Sequence, residues 1–284
     1  MKINTDDSVI CQNENRIHNY FAWPSVTWLP DGMLAMVASG FRLRHVCPFG
    51  KGVICYSGDE GRRWTLPAVV IDTPLDDRDC GIAVFGLERN RVIVTSFNNS
   101  RGMQQESNGI QLSGVGDGGK RYRYVEAYLD LVEDDDERNY LGSTYRLSED
   151  GGYTFGRIKR VPVTAPHGPC VMPDGSLLYV GTKFGSPGIL EAWKMEAEGE
   201  EFVFVSSLDT SAIPKEYEPC EPHAVWTGNR VLVQIRVQGK NYFSTWQCDS
   251  VDGGESFRNL HPILKAQEGA PPHLLLHSSG ILIS

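Results

Sequence analysis

Residues 220–236, CEPHAVWTGNRVLVQIR, carry a carboxylate, an imidazole and a guanidinium in one strand–turn–strand span: Glu221, His223 and Arg236. A Thr-Gly-Asn turn between two apolar runs places Glu221 and Arg236 at the same end of the hairpin. A carboxylate there can move a proton, and a planar guanidinium can grip an anion with two parallel hydrogen bonds. Groups of the same kinds flank other hairpins. Asp77, Arg78 and Asp79 precede one (PLDDRDCGIAV), His167 a second (TAPHGPCV) and His273 a third (GAPPHLLL). Arg42, Arg44 and His45, with Lys51 beyond, follow another (SGFRLRHVCPFGK), and Lys183 follows one more (GTKFGS). Gathered in one place, acid, imidazole and guanidinium suit an anionic sugar. Asp79 is the first candidate for proton donor, ahead of Asp77 and His45. Arg42 and Arg44 alternate along an extended segment, so one can point away from such a site. Each His stands beside Pro or Gly at a strand start, where capping of the backbone is the competing role. No ligand-spacing motif supports a metal, and no cofactor is expected.

The hairpins that must position these groups recur along the chain. WLPDGMLAMV (28–37), GLERNRVIVT (86–95), VMPDGSLLYV (171–180), VWTGNRVLVQ (225–234) and LLHSSGILIS (275–284) are each an apolar run, a tight polar turn and an apolar run. A second motif, S-x-D-x-G-x-x-[WF], occurs three times: SGDEGRRW (57–64), SEDGGYTF (148–155) and SVDGGESF (250–257). Its Asp is suited to accept amide hydrogen bonds across a turn, its glycines to strained backbone angles, and its aromatic residue to burial. The Asp residues are therefore structural. Two hairpins in a repeat of about 50 residues are the signature of a β-propeller blade. With 30 Gly, 16 Pro and short β-branched runs, the fold class is all-β.

These S-x-D-x-G-x-x-[WF] turns and the hairpin register across residues 17–284 resemble the Asp-box six-bladed propeller of the sialidase superfamily. The resemblance implies a single domain over 1–284, with about four and a half blades present at 20–75, 79–163, 167–210, 221–264 and from 271. Blade three has MEAEGEEFVFV in place of the box. A six-bladed ring needs something like 80 residues more at about 45 per blade, so a fragment of a longer chain is expected. Blade two carries an insert at 98–141: a mobile loop to about 120, then a helix with Tyr124, Val125, Tyr128, Leu129 and Val132 on one face. The resemblance further implies that Glu221 polarises a nucleophilic Tyr and that Arg236 belongs to an arginine triad clamping a carboxylate. The Tyr and the third Arg would then lie beyond residue 284. Where the family has the first triad Arg, in F/Y-R-I-P, this chain has FAWP with Ala22, and its loop at 42–51 lacks the family's Asp. Trp23 offers a stacking face for a sugar ring.

Composition narrows the alternatives. A net charge of -9 argues against a nucleic-acid partner. No stretch approaches a membrane span, and the start lacks an apolar leader, so a cytoplasmic location is expected. The seven Cys contain no C-x-x-C pair and read as small buried thiols in a reducing compartment. The expected activity is exo-glycosidase-like removal of a terminal acidic sugar, with a glycan or small sugar as partner and homo-oligomerisation open. The alternatives are a non-catalytic glycan-binding propeller and a protein-binding scaffold. Convergence of Glu221, Arg236, Asp79 and Arg42 or Arg44 favours the enzyme. Dispersal, or pairing in salt bridges, favours the others.

Overall fold

The computed structural model describes residues 9–14, 17–113, 119–240, 242–264 and 271–284. Residues 1–8, where a leader was sought, lie outside them. Four antiparallel sheets follow one another in chain order, three of them four-stranded and the third five-stranded. The first contains β1 (Tyr20–Trp28), β2 (Leu34–Arg42), β3 (Lys51–Ser57) and β4 (Ala68–Ile71). The second contains β5 (Arg78–Phe85), β6 (Arg91–Phe97), β7 (Ser143–Ser148) and β8 (Lys159–Val161). The third contains β10 (Cys170–Val171), β11 (Leu177–Lys183), β12 (Leu190–Met195) and β13 (Val203–Ser207), with β9 (Val163–Thr164) also paired to β11. The fourth contains β14 (Glu218–Trp226), β15 (Val231–Gly239), β16 (Tyr242–Ser250) and β17 (Arg258–Leu264). A hairpin of β18 (Leu275–Leu276) and β19 (Leu282–Ile283) follows. The described residues thus form four blades and one hairpin.

Each sheet has its first strand innermost. Strand β1 packs on β5, β10 on both β5 and β14, and β14 on β18. The core lies between blades. Leu29, Val37 and Ile54 of the first blade meet Val92 and Val94 of the second. Phe85, Ile93 and Tyr145 meet Leu177, Tyr179 and Met195 of the third. Leu178 and Val180 meet Val231 and Val233 of the fourth. Adjacent residues Leu177 and Leu178 serve opposite interfaces. A strand buried on both faces reads as a continuous apolar run, which is why alternation is weak in this sequence.

The repeated S-x-D-x-G-x-x-[WF] turns are built as clasps. Asp59, Asp150 and Asp252 accept amides of Arg63, Thr154 and Ser256 at 2.8–3.0 Å. Hydroxyl, amide and guanidinium donors hold all three carboxyls below their usual range, Asp59 at about 2. The leading Ser of each motif accepts the Gly amide, at 2.9 Å for Gly61 and 2.8 Å for Gly152 and Gly254. The clasp also touches the preceding blade: Tyr56 Oη donates to the Gly152 carbonyl and Ser206 Oγ to that of Gly254. Blade three lacks the motif, and its turn is held by Arg91 of blade two, which donates to the carbonyls of Ala197 and Gly199.

The insert differs from the expected loop and single helix. Three helices occupy it: α1 (Arg101–Ser113), α2 (Gly119–Leu129) and α3 (Asp134–Tyr140). Helix α1 starts where Ser100 Oγ accepts the Met103 amide, an N-cap. Its buried residues include Gln104 and Asn108, so the usual apolar stripe that betrays a helix is absent. Gln104 donates to the Asn99 carbonyl, and Asn108 accepts from Arg44. Val125, Leu129 and Val132 are buried, whereas Tyr124 is exposed. Residues 114–118 of the expected loop lie outside the described residues.

A Cβ at Gly254 would lie 2.8 Å from Leu178 Cδ1, and the backbone there has φ +100°. Gly228 has φ +97° with open space around it. Gly254→Ala should therefore cost about 2–4 kcal/mol in urea unfolding and Gly228→Ala about 1 kcal/mol, the difference being the steric part.

Candidate functional site

The inner strands of blades one, two and four share one irregularity. Three steps along the inner strand match two along its partner: Ala22 to Ser25 against Ser39 to Val37, Arg78 to Gly81 against Phe97 to Thr95, and Cys220 to His223 against Arg236 to Gln234. This is a β-bulge, and the residue after its first position has positive φ each time: Trp23 at 54°, Asp79 at 47° and Glu221 at 47°. A non-glycine residue in that region costs about 1–3 kcal/mol, and such residues gather at functional sites. The bulges aim an indole and two carboxylates from register-equivalent positions of three blades.

Glu221 is paired with Arg236 across the hairpin, Oε2 to Nη1 at 2.5 Å, and both side chains remain partly exposed. The Arg236 guanidinium lies 4.9 Å from the Phe243 ring centroid. Its Nε–H is buried with no hydrogen-bond partner. Asp79 accepts from Arg78 Nε at 2.9 Å, and both are buried. Burial raises the Asp79 carboxyl above its ordinary pKa, against the pull of Arg78, and the charge of Glu221 adds to the rise. Arg78 also lies 3.2 Å from His45 Nε2 and 4.6 Å from the Trp23 ring centroid. Trp23 meets His45 edge-on, with centroids 5.1 Å apart. Burial, then the positive charges of Arg78 and Arg42, keep the His45 imidazole below its ordinary pKa. Asp79, Arg78, His45 and Trp23 are therefore one neighbourhood, and Glu221 with Arg236 a second whose charge is felt at Asp79 and His45.

A cavity of about 580 Å³ opens beside Glu221 and Arg236, with Phe97, Met103, Phe184 and Gln238 among its walls. It lies within the size range of small-molecule sites. Lys183 lines it as well, and donates to Glu191 at 2.8 Å.

Three of the residues singled out in the sequence are placed elsewhere. Arg42 is fully buried, and all five of its N–H donors are used inside the protein. Nε donates to the Arg44 carbonyl, Nη1 to Ser39 Oγ and the Asp77 carbonyl, and Nη2 to the His45 carbonyl and Asp76 Oδ1. Arg44 is buried against the Val46 carbonyl and Asn108. Asp77 turns inward to the amide and hydroxyl of Thr73, and burial raises its carboxyl to about 7. None of the three presents a charge to a sugar.

His167, His223 and His273, from the inner positions of three successive blades, form a cluster with ring centroids 4.7–4.9 Å apart. His223 Nδ1 accepts the Leu274 amide at 2.7 Å, so the neutral ring carries its proton on Nε2. A ring in that state has no lone pair for a metal, and among the described residues no group of three or more His, Cys, Asp or Glu is arranged to hold one. Burial, reinforced by the neighbouring rings, keeps His167 at about 3 and His223 well below its ordinary pKa, and burial lowers His273 too.

No sequence-family model and no curated protein matches the chain. Solved structures do. The NanB sialidase of Streptococcus pneumoniae superposes with a TM-score of 0.61 at 12% identity, over 93% of this chain and 55% of that one. The leech intramolecular trans-sialidase superposes with a TM-score of 0.60 at 14% identity, over 92% and 54%. An exo-β-1,3-galactanase of Phanerochaete chrysosporium gives 0.52 at 7%, over 84% and 49%. The chain spans about half the length of these proteins, and the likeness is one of fold: a β-propeller arrangement resembling that of sialidases.

Two outcomes test these placements. Arg42→Lys should destabilise the fold by about 3 kcal/mol in denaturant unfolding, because a lysine cannot serve five acceptors and leaves Asp76 buried with a poorer partner. For the imidazoles, a folded pKa below the unfolded 6.5 means stability is full above 6.5 and is lost as the pH falls towards 3. The loss is about 1.4 kcal/mol per pH unit for each ring kept neutral. Asp77 acts in the opposite direction, so the histidine part is read as a difference. Between pH 7 and 4, wild type should lose stability relative to His223→Gln; parallel curves would exclude the cluster as the origin.

Proposed function

We propose that this chain is the propeller of a glycoside hydrolase that removes a terminal acidic sugar. The observation that carries the reading is the pair of strained carboxylates, Asp79 and Glu221, at equivalent bulges of two blades, with Glu221 and Arg236 on the wall of the pocket. Asp79, held protonated by burial to higher pH than an ordinary carboxyl, suits the general acid that protonates the leaving oxygen. Glu221 serves on the other side of the sugar, as base or as the group that polarises a Tyr nucleophile. Arg236, on the pocket wall, takes the place that Arg42 and Arg44 cannot fill and receives the sugar's carboxylate. Trp23 presents an indole face to the ring. The finer assignment, a six-bladed sialidase acting on a sialoside, rests on the likeness of fold and on these residues together.

The second reading, a non-catalytic glycan-binding propeller, is favoured by one specific observation. Each carboxylate of the site already holds a guanidinium, Asp79 with Arg78 and Glu221 with Arg236.

The test is turnover of a panel of aryl glycosides including sialosides and uronides. Glu221→Gln and Asp79→Asn should each lower kcat/KM about 100–10,000-fold, and Arg236→Ala should act mainly through KM. Unchanged turnover in both carboxylate variants would overturn the catalytic assignment. Saturable sugar binding by wild type without turnover would select the second reading.

A further inference from the structure

The cavity beside Glu221 and Arg236 has a neighbour. A second cavity, of about 430 Å³, is lined by Lys215, Glu216, Tyr217 and Gly239, and Glu218 and Gln238 wall both. Strand register explains the shared wall. Glu218 of β14 opposes Gln238 of β15, and Cys220 opposes Arg236. Side chains two apart on a strand share a face and stand about 7 Å apart. Gln238 and Glu218 therefore form the next row beyond Arg236, on its face of the sheet and further from the Thr-Gly-Asn turn. Lys215 and Glu216 are exposed, so the second cavity is the outer of the two. A Cβ at Gly239 would lie 2.6 Å from Tyr217 Cδ1, so glycine there is what leaves room for the ring. Glu218 and Gln238 are half-buried, and among the described residues neither side chain has a hydrogen-bond or ion-pair partner. In the inner row Arg236 and Glu221 hold each other.

We propose that this outer cavity is a subsite for a neutral sugar, the one to which a terminal acidic sugar is joined. It rests on the reading of the inner cavity as the place of the acidic sugar. A carboxylate with both oxygens open accepts from two adjacent hydroxyls, and a primary amide both donates and accepts. Those groups complement the hydroxyls of a sugar, and the charged acceptor makes the stronger bonds. A tyrosine beside them adds apolar surface, the mixture found in small-molecule sites. Charge makes the second half of the selection. Glu216 and Glu218 outnumber Lys215, so the outer cavity is lined with net negative charge. A second acidic sugar would bring its carboxylate beside two others and a single ammonium, a repulsion that selects against it. The direction fits the chemistry too. Glu218 lies nearer the mouth than Glu221, so a sugar held there leaves outward once the bond is cut. The substrate class that follows is a neutral glycan capped by one acidic sugar, not a polymer of acidic sugars.

The probes are sialyl-lactose and glucuronyl-lactose, in which an acidic sugar caps a neutral one, and the aryl glycoside of each acid. Saturation-transfer NMR reads which sugar touches the protein, on wild type, or on Glu221→Gln where wild type consumes the probe. Signal should reach the acidic sugar and the galactose joined to it. Glu218→Ala should abolish the galactose signal while that of the acidic sugar stays. Where hydrolysis occurs, Glu218→Ala should lower kcat/KM about 10-fold more on the trisaccharide than on the aryl glycoside. Gln238→Ala repeats both readings from the opposing strand should the first variant fold poorly, and circular dichroism reports the fold. Disialic acid should bind about 10-fold more weakly than sialyl-lactose, and equal binding would overturn the choice of a neutral sugar. Signal from the acidic sugar alone overturns the subsite and leaves the hydrolase reading standing. Signal from both sugars without turnover supports the subsite and removes the hydrolase. No signal from either sugar overturns both.

Discussion

The buried ion pair of Arg42 and Asp76 is the constraint on which the site depends. Both side chains are wholly excluded from solvent, and the contact is 2.5 Å. An isolated charge at such a depth is too costly to keep, so each group must be satisfied by the other and by further hydrogen bonds. Arg42 finds four more acceptors around it, and Asp76 takes its second bond from Asn99 Nδ2 at 2.9 Å. Those partners belong to blade one, to the connection into blade two and to the threshold of the helical insert. One guanidinium therefore fixes three segments that are far apart in sequence. Asp77, two residues before Asp79, gives its carbonyl to the same guanidinium. The orientation of Arg78 and Asp79 follows from what Arg42 holds.

Upon that frame, the strained bulges become affordable. Positive φ at Trp23, Asp79 and Glu221 persists because ladder pairing resumes after each bulge and the blades are packed against one another. A bulge in an inner strand turns one side chain out of the ladder and towards the axis without breaking the blade. The same device used in three blades yields a ring of side chains that differ in chemistry and share a backbone position. That is how a repeat fold builds an asymmetric site.

The blade boundaries were legible because turn chemistry is local. Asp-Gly and Ser-x-Asp-x-Gly segments specify their own backbone, and the strands between them fall within a few residues of where spacing puts them. Helix α1 was not legible, since Gln104 and Asn108 bury amides where a periodic pattern would need apolar side chains. Arg42 was read as a substrate ligand for a related reason. An arginine in a polar loop looks the same in sequence whether it faces a ligand or the carbonyls of its own loop, and only the fold supplies Asp76 and the four other acceptors. The common bulge escaped because Ala-Trp-Pro, Arg-Asp-Cys and Cys-Glu-Pro share no residue type that demands positive φ. Their likeness is one of register alone.

On the hydrolase reading, the internal ion pairs of the site have a use. A sugar carboxylate arriving at Arg236 meets a guanidinium whose Nη1 already donates to Glu221 and whose Nε–H is buried, so it competes with Glu221 for the Nη edge. One carboxylate then replaces another, so the guanidinium keeps an anionic partner throughout the exchange. Glu221 is then released from part of its hold on Arg236. The group best placed to act as a base would be freed only when an anionic ligand is bound. A neutral sugar would leave the pair intact and Glu221 idle, which ties the sign of the substrate's charge to the chemistry as well as to binding.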